Sequence, residues 1–502
     1  MSVVDRLLTE RFAEPSTRNA FEGPFGDDKK RSMTDEEAGR HIAAVAALIS
    51  RRFPNGGGRI GVLSNHRVET YVAVLGTVAA GATFVPLNPK FPVERLRSIV
   101  VLGGVGLILG DRSTQAVAAT VAPAIEFIDV AAVVPAVGWA AAPTAESADT
   151  SSIAYVMFTS GSTGTPKGVP ITYGNLLAYV DAVEDLLEIP RDARFTQLFD
   201  LSFDLSMHDI FVSTRMRGTL IAPTQIDLMM PGAYVAREAI DAWFSVPILG
   251  AQLGGSARKD GFAGLRSMLF CGEALPMETV AACRGWLAPG ARMWNLYGPT
   301  EATIAFTAAD VTDSRRSEGN ASIGHPFGAN VTAMLDASGA VVTTTAVGDE
   351  GELLLAGPQV FGGYSTDAPS PFVVHDGVTY YRSGDLVRID DEGVYFRGRV
   401  DSQVKFRGYR IELGEIETAA RAAFGLKTLA VVVGGTGAAA KLVLFHLSGE
   451  AGERTIDPKL LEETLPKYMV PAEFVALEAM PTNANGKIDR RVLTAMADGS
   501  GG

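Results

Sequence analysis

A loop rich in hydroxyl groups and glycine directly follows an apolar strand near residue 155, and this combination constrains the chain more than any other segment. Residues 155–170 read YVMFTSGSTGTPKGVP. The first four residues predict a buried strand, and the glycines after them let the backbone and several hydroxyl donors approach an anion. Lys167 adds a positive charge. The segment therefore predicts a triphosphate-binding loop at the end of a strand.

This loop is not the Walker A loop of P-loop NTPases. Walker A places a glycine, four residues and then Gly-Lys-Ser/Thr in order, whereas Lys167 follows Thr165-Pro166 and precedes Gly168. A serine- and glycine-rich surface linker is the alternative on composition, but the adjoining strand and the lysine argue against it. The sequence therefore indicates a phosphate-binding loop of another class.

Composition limits the class of protein and its partners. The 502 residues are 47% hydrophobic and 20% charged, which suits two or three domains with large cores. The net charge of −13 argues against a nucleic-acid partner and against a membrane surface. The N-terminus lacks the apolar core of a signal peptide. Only Cys271 and Cys283 are present, too few for a disulfide framework or a zinc cluster, so we expect a cytoplasmic protein.

The hydrophobic pattern predicts the fold class and a domain boundary. A helix at 36–50 and a strand at 59–63 begin an alternation that predicts layered α/β architecture with largely parallel sheets. Strand patterns at 351–355, 378–382, 386–389 and 394–397 predict a small β-rich subdomain. Beyond residue 401, a helix at 414–423 and strands at 429–433 and 442–447 predict an α+β domain. We therefore expect an N-terminal domain over 1–400 that is hinged to a C-terminal domain over 401–502.

Four further motifs follow the loop in a fixed order. They are NLYGPTE at 295–301, YRSGD at 381–385, GRVDSQVKFRGYRIE at 398–412 and NANGKID at 483–489. Together with the loop at 155–170, they make the chain resemble the adenylate-forming superfamily, most closely the amino-acid adenylation domains of nonribosomal peptide synthetases. The resemblance spans nearly the whole chain.

The resemblance implies ATP and Mg²⁺ as cofactors and an acyl-adenylate as the product of the first step. Thr300 would bind the α-phosphate, Glu301 would be the Mg²⁺ ligand, and Asp385 would accept the ribose hydroxyls. The implied cofactor-binding residues are Thr159, Ser160, Gly161, Ser162, Thr163, Gly164, Lys167, Gly272, Glu273, Asn295, Tyr297, Gly298, Asp385, Phe396 and Arg399. Without the motif, Asp385 would be read as an Asx turn.

The resemblance also implies a second step on a carrier protein. Lys487 would stabilise charge between the substrate carboxylate and the α-phosphate, so Lys487, Thr300, Glu301 and Lys405 are the predicted catalytic residues. Asp401 would be the hinge about which the C-terminal domain rotates, so that Lys405 faces the site for attack by a phosphopantetheine thiol. No carrier sequence follows residue 502. We therefore expect a freestanding enzyme that meets its carrier protein in trans.

Asp204 and its neighbours bear on the acid that is activated. In FDLSMHD, at 203–209, Asp204 matches the family carboxylate that pairs with an α-ammonium group, although a helix N-cap is the alternative. The substrate-binding positions that the resemblance implies are Asp204, Leu205, His208, Phe244, Leu269, Cys271, Leu296, Ile304 and Ala305. Most of these are apolar and several are bulky, which predicts a small amino acid. FDLS and LFCGEALP resemble D-alanine:carrier protein ligases, so alanine is predicted, with glycine and serine left open.

Several alternatives stay open at this stage. The chain resembles D-alanine:carrier protein ligases of teichoic acid modification, but its Ala-, Gly- and Arg-rich composition favours a specialised-metabolite pathway. Acyl-CoA synthetases share all five motifs, and Asp204 distinguishes the two classes. His208 departs from the residues expected in either group and is equally readable as a packed core histidine. The stereochemistry of the amino acid, and the choice between a carrier thiol and a carried amine as acceptor, are undetermined.

Overall fold

The chain forms two compact units in a computed structural model. The model describes residues 3–13, 16–26, 29–64, 66–136, 139, 148–160, 166–187, 189–256, 262–450, 456–483 and 487–499. The first unit comprises Met1–Pro89, Val100–Phe158 and Gly168–Val400, and the second comprises Lys90–Ile99, Thr159–Lys167 and Asp401–Gly502. The predicted loop residues Gly161, Ser162, Thr163 and Gly164 lie outside the described residues.

A nine-stranded sheet is the largest element of the first unit. Its strands are β1 (Asn19–Pro24), β2 (Lys30–Thr34), β9 (Arg194–Thr196), β10 (Thr219–Ile221), β11 (Ala242–Ser245), β12 (Leu265–Phe270), β13 (Leu287–Tyr297), β14 (Thr307–Asp310) and β15 (His325–Pro326). The spatial order is β15-β14-β13-β12-β11-β9-β10-β1-β2. The inner pairs from β1 to β13 are parallel, whereas β2, β14 and β15 are added antiparallel at the two edges.

A second sheet has six strands in the order β6-β5-β3-β4-β7-β8. They are β3 (Arg59–Leu63), β4 (Thr83–Pro86), β5 (Leu107–Gly110), β6 (Phe127–Asp129), β7 (Ile153–Thr159) and β8 (Lys167–Thr172). The pairs among β3 to β7 are parallel, and β4 and β5 are buried along their whole length, as expected for strands covered on both faces. The predicted α/β class with largely parallel sheets is confirmed.

The predicted β-rich subdomain is an antiparallel sheet in which β21 also pairs with β20. Its strands are β16 (Val331–Leu335), β17 (Val341–Val342), β18 (Glu350–Ala356), β19 (Phe372–His375), β20 (Val378–Asp390) and β21 (Gly393–Arg399). The separate strands predicted at 378–382 and 386–389 are one continuous strand, and its pairing with β18 shifts register between Arg382 and Leu386, where Gly384 adopts φ +73°. The Asx-turn interpretation of Asp385 is therefore wrong.

Helices pack on the sheets of the first unit and complete its core. The helices of the whole chain are α1 (Glu10–Phe12), α2 (Asp35–Arg52), α3 (Val68–Ala79), α4 (Val93–Gly103), α5 (Gln115–Val121), α6 (Tyr173–Leu187), α7 (Leu205–Arg215), α8 (Gln225–Met229), α9 (Pro231–Arg237), α10 (Pro247–Gly254), α11 (Met277–Cys283), α12 (Leu413–Phe424), α13 (Lys459–Glu462) and α14 (Arg490–Ala497). Helix α2 begins one residue before its predicted start, because Thr34 and Glu37 form a capping box. Within the described ranges, no helix has the length and apolar character needed to cross a membrane.

The second unit is a small α+β assembly. It contains the hairpin β22 (Gln403–Phe406) and β23 (Tyr409–Glu412), and the three-stranded sheet β24 (Leu429–Gly434), β25 (Lys441–Leu447) and β26 (Glu473–Leu477). Helix α12 packs its buried Ile416 and Ala420 into the same core as Leu444 of β25. The sequence prediction placed 90–99 and 159–167 in the N-terminal domain, whereas the structure groups them here, where Arg95 forms a buried ion pair with Glu415 at 2.5 Å. Rotation about Asp401 stays a prediction.

Candidate active site

The candidate site of the first unit lies at the carboxyl ends of three neighbouring parallel strands. β11, β12 and β13 end at Ser245, Phe270 and Tyr297, respectively. The predicted residues Cys271, Gly272 and Glu273 directly follow β12, and Gly298 directly follows β13. Ligands of open α/β sheets bind outside this edge. A Cβ atom on Gly298 would lie only 2.7 Å from the Ala305 Cα atom, so the close approach of these loops requires glycine there.

A buried ionic group joins β13 to the antiparallel sheet. The Tyr297 hydroxyl donates to Asp385 Oδ2 at 2.6 Å, and the Arg399 guanidinium forms an ion pair with Asp385 Oδ1. Asp385 is 1% exposed. Burial first, and then the Asp385 carboxylate, raise the pKa of Tyr297 well above its usual value, so its hydroxyl stays a donor. The sequence motifs that contain these three residues thus meet at one point. Phe396 lies on β21, opposite Val387 of β20.

Asn295 presents a buried acceptor that has no protein partner in the described part of the chain. Its Nδ2 donates to the Ser322 carbonyl at 2.7 Å, whereas its Oδ1 is buried and accepts no hydrogen bond there. An unmade hydrogen bond to a buried group costs about 1–3 kcal/mol. A ligand with an amino group, such as adenine, would supply the missing donor. The polar groups of Asn295, Tyr297 and Asp385 therefore fit a nucleoside.

Thr300 and Glu301 lie in a short 3-10 turn, Thr300–Ala302, that follows β13. Glu301 is 1% exposed, its Oε1 accepts from the Tyr364 hydroxyl at 2.8 Å, and its carbonyl accepts from the Phe361 N–H at 2.8 Å. Across the described ranges, no three His, Cys, Asp or Glu side chains cluster as a metal centre would require. One carboxylate together with nucleotide phosphates and water is the usual Mg²⁺ arrangement, so Glu301 fits the predicted metal role.

Asp204 is a buried carboxyl group without a cationic partner among the described residues. It is 7% exposed, and its Oδ2 accepts from the Ile304 N–H at 3.3 Å. Burial raises its pKa to about 7 and the Glu301 charge adds to this, although hydrogen bonds from the Ile304 N–H and the Thr300 hydroxyl oppose the shift. Asp204 precedes α7 but makes no side-chain cap, because its carboxyl faces the 300–305 loop instead. The N-cap alternative is therefore wrong.

His208 lies one helical turn after Asp204. It is 1% exposed, its Nδ1 lies 2.7 Å from the Tyr179 hydroxyl, and its ring centroid lies 4.4 Å from that of Phe244. Burial lowers its pKa to about 3, so the imidazole is neutral at physiological pH. Tyr179 is an equally buried group that the sequence patterns did not single out. Which of the two groups donates depends on the tautomer of the neutral imidazole, because Nδ1 accepts only when the ring proton is on Nε2.

The other predicted substrate-binding side chains share one buried apolar core. Phe244 of β11 pairs with Leu269 of β12, which fixes these two side chains as neighbours on adjacent strands. Cys271 is buried, 1% exposed, and forms no disulfide bond among the described residues. The members of this core cluster are Leu205, Phe244, Leu269, Cys271, Leu296, Ile304 and Ala305. All seven positions therefore belong to the core of the first unit.

A strained turn carries the donor that reaches Asp204. Thr303 and Ile304 adopt φ +56° and +69°, a left-handed conformation that is unusual for β-branched residues. Each such residue costs about 1–3 kcal/mol and persists only where its surroundings hold it.

The surroundings that hold this turn are residues 357–364, which the sequence analysis missed. Gln359 donates from Nε2 to the Ala305 carbonyl at 2.7 Å, and Tyr364 holds Glu301. The segment could have been found from its sequence, GPQVFGGY, in which glycines lie on both sides of a short apolar run after β18.

The remaining predicted residues belong to the second unit. The Ser160 hydroxyl donates to the Arg410 carbonyl at 3.1 Å and accepts from the Glu412 N–H at 3.3 Å, so Thr159 and Ser160 adjoin the β22-β23 hairpin. Lys405 lies on β22 opposite Arg410, and Lys167 begins β8. Lys487 is exposed, and its carbonyl accepts from the Asn483 N–H at 2.7 Å. Asp401 is the first residue of the unit's longest segment.

Comparison with known proteins agrees with this geometry. A model of the AMP-binding enzyme family matches residues 8–365. The L-proline:[L-prolyl-carrier protein] ligase of Streptomyces coelicolor is 33% identical over 98% of this chain and 96% of its own length. The phosphinothricin tripeptide synthetase PhsC of Streptomyces viridochromogenes is 33% identical over 86% of this chain, which spans only 40% of that larger protein.

Solved structures show the same fold. The Vibrio cholerae adenylation domain AlmE, in complex with glycyl-adenosine-5'-phosphate, superposes with a TM-score of 0.84 at 25% identity and covers 98% of this chain and 96% of its own. The resemblance to adenylation domains that the five motifs predicted is confirmed.

Proposed function

This chain belongs to the AMP-binding enzyme family and is an amino-acid-adenylating ligase, and we propose that it activates a small amino acid, with alanine as the preferred substrate. The substrate carboxylate attacks the α-phosphorus of ATP, so a carboxyl oxygen to phosphorus bond forms and the bond to pyrophosphate breaks. The aminoacyl adenylate then passes its acyl group to the phosphopantetheine thiol of a carrier protein, and AMP leaves.

The observation that carries this proposal is the buried Asp204 carboxyl without a cationic partner in the described chain. A buried charge is stable only when it is paired. The α-ammonium group of an amino acid supplies that pair, whereas a simple carboxylic acid cannot. This favours an amino-acid-activating enzyme over an acyl-CoA synthetase.

We propose the nucleotide contacts that the family resemblance implies, and the positions of the other residues support them. The Asn295 Oδ1 accepts from the adenine amino group, Tyr297 stacks on the base, and Asp385 accepts the ribose hydroxyls while Arg399 holds its second oxygen. Thr300 donates to the α-phosphate. Mg²⁺, held by Glu301 and the nucleotide phosphates, would neutralise charge that develops on the phosphate oxygens.

The side chains that the family resemblance assigns to the pocket favour a small amino acid, and His208 adds a second candidate. Phe244, Leu269 and Leu296 are bulky and buried. In the tautomer in which Nδ1 accepts from Tyr179, the neutral His208 carries its proton on Nε2 and offers one donor beside the ring of Phe244. A serine hydroxyl would accept that hydrogen bond, so serine is the second candidate, and glycine is the smallest fit.

The test is amino-acid-dependent pyrophosphate exchange with all proteinogenic amino acids in L and D forms, and with acetate and propionate as acids that lack the ammonium group. We expect the highest rate with alanine or serine and at most 1% of that rate with propionate. Exchange that is supported best by a simple acid would overturn the substrate class.

Lys487 separates the two proposed half-reactions. Replacement by alanine should reduce exchange by about 10³-fold or more, because the developing charge on the α-phosphate loses its cation. Thioester formation from a preformed adenylate should stay within a few-fold of the unchanged enzyme. Loss of both steps to the same extent would contradict the division of labour that Asp401 and Lys405 imply.

The wider setting also stays a proposal. We place the enzyme in the cytoplasm, as its two free thiols suit a reducing compartment, and in a specialised-metabolite pathway. D-alanine:carrier protein ligase is the alternative role.

A further inference from the structure

The Ile304 N–H, which donates to Asp204, belongs to a turn that its own hydrogen bonds do not stabilise sufficiently. Thr303 and Ile304 are both β-branched and both left-handed. The described main-chain hydrogen bonds within the turn run from the Thr303 N–H to the Thr300 carbonyl at 3.1 Å and from the Ala305 N–H to the Thr303 carbonyl at 2.8 Å. Glycine or asparagine normally occupies such positions. The turn therefore depends on contacts from outside it.

Gln359 makes those contacts with both its side chain and its main chain. Its Nε2 donates to the Ala305 carbonyl at 2.7 Å and lies 3.3 Å from the Thr303 carbonyl oxygen. Its own carbonyl accepts from the Thr303 hydroxyl at 2.6 Å. Gln359 is 1% exposed, so water does not compete for these hydrogen bonds.

The orientation of the Gln359 amide is itself fixed. Asn330 Nδ2 donates to Gln359 Oε1 at 2.6 Å, so the amide oxygen faces Asn330 and the amino group faces the turn. Asn175 Nδ2 on α6 donates to the Pro358 carbonyl at 2.7 Å, which anchors the main chain beside Gln359. Gly357 permits this close packing, because a Cβ atom there would lie 2.9 Å from the Asn330 Cα.

We propose that Gln359 is a positioning residue for amino-acid binding, which holds the Thr303 and Ile304 turn so that the Ile304 N–H stays directed at Asp204. The proposal rests on the proposed role of Asp204 as the partner of the substrate ammonium group. Gln359 itself does not touch the substrate; it sets the orientation of the carboxyl oxygen that does. Without it the turn relaxes, the Ile304 donor moves away and Asp204 loses its alignment.

The experiment replaces Gln359 by methionine in the full chain, because methionine has a similar volume and donates no hydrogen bond. With the best amino acid of the exchange survey, we expect the amino-acid KM to rise about tenfold, whereas the ATP KM and kcat change less than threefold. Discrimination between that amino acid and the matching acid without an amino group should fall by a similar factor. Thr77→Val removes a buried hydroxyl from α3 that bonds only the Ala73 carbonyl, and this control should leave all three values unchanged.

A double-mutant cycle with Asp204→Asn identifies the route of the effect. If Gln359 acts through Asp204, Gln359→Met should change the amino-acid KM less than twofold in the Asp204→Asn background. An equal effect in both backgrounds, or a parallel loss of ATP affinity, overturns the proposal. If Asp204→Asn leaves the amino-acid KM unchanged, the proposed role of Asp204 as the ammonium partner fails. If Asp204→Asn raises the amino-acid KM but Gln359→Met leaves it unchanged, only the proposed role of Gln359 fails.

A milder variant covers the case in which Gln359→Met does not fold. Thr303→Val keeps the β-branch but removes the hydroxyl that donates to the Gln359 carbonyl. We expect the amino-acid KM to rise about threefold at unchanged ATP KM. An unchanged amino-acid KM in a folded Thr303→Val enzyme counts against the proposal.

Discussion

Asp385 and Asp204 are two carboxyl groups buried in the same unit, and their surroundings differ in one respect. Asp385 has an ion pair with Arg399 and a hydrogen bond from Tyr297. Asp204 has only neutral donors, the Ile304 N–H and the Thr300 hydroxyl, in the part of the chain that the structure describes. Burial therefore raises the pKa of Asp204 to about 7.

This difference indicates which charge a ligand must bring to each half of the site, the nucleotide half at Asp385 and the amino-acid half at Asp204. On the proposed function, Asp385 accepts the neutral ribose hydroxyls, and the protein itself supplies the counter-charge of that carboxylate through Arg399. An ammonium group brings its own charge, and a cation beside Asp204 would compete with it. On the proposed function, the nucleotide half is complete before binding, whereas the amino-acid half is completed by its substrate.

Removing the Arg399 cation that pairs with Asp385 in the nucleotide half should have the largest effect on stability and on ATP binding. Arg399→Gln leaves the 1% exposed Asp385 without its ion pair, and we expect the free energy of unfolding to fall by about 3–5 kcal/mol, together with a large rise in the ATP KM. Urea unfolding and exchange kinetics measure the two effects. Arg292→Gln is the matched control, because the Arg292 and Asp310 side chains are 52% and 30% exposed and such pairs contribute at most about 1 kcal/mol. Equal losses in both variants would remove the contrast.

Replacing Asp204 in the amino-acid half by a neutral residue should weaken amino-acid binding and raise stability. Asp204→Asn removes the partner of the ammonium group, and we expect the amino-acid KM to rise by about 30- to 1,000-fold, which corresponds to about 2–4 kcal/mol. A carboxyl whose folded pKa lies above its unfolded value loses stability as pH rises between about 4 and 7. The asparagine variant should therefore be more stable than the parent at pH 8 without substrate. A lower Tm for the variant at pH 8 would contradict this assignment.

The sequence predicts the elements of this site better than their surroundings. The strand Arg59–Leu63 has the predicted bounds, because it is a short apolar run that ends at the polar residues Ser64-Asn65. Local patterns cannot show that Gln359 meets Ala305, 54 residues earlier, or that Tyr364 meets Glu301, because both contacts depend on how the antiparallel sheet packs. Family motifs supplied Asp385, but only the structure shows that it lies within a strand.

The surroundings of Asp204 predict that amino-acid binding depends on pH. The groups that face Asp204 are Glu301, the Tyr155 and Tyr179 hydroxyls, the Thr300 hydroxyl and the Ile304 N–H, and the tyrosine pKa values are raised far above neutrality by burial. Burial raises the pKa of Asp204 to about 7, and on the proposed function only its ionised form binds an ammonium group.

As pH falls below about 7, the neutral form of Asp204 accumulates, so kcat/KM for the amino acid should fall about tenfold per pH unit. The ATP KM should stay within about twofold between pH 6 and pH 8, and kcat at saturating amino acid should fall less, since the bound ammonium group holds Asp204 ionised. Exchange rates across this range measure all three quantities. Asp204→Asn should abolish the decline, and a decline that persists in that variant would assign it to another group.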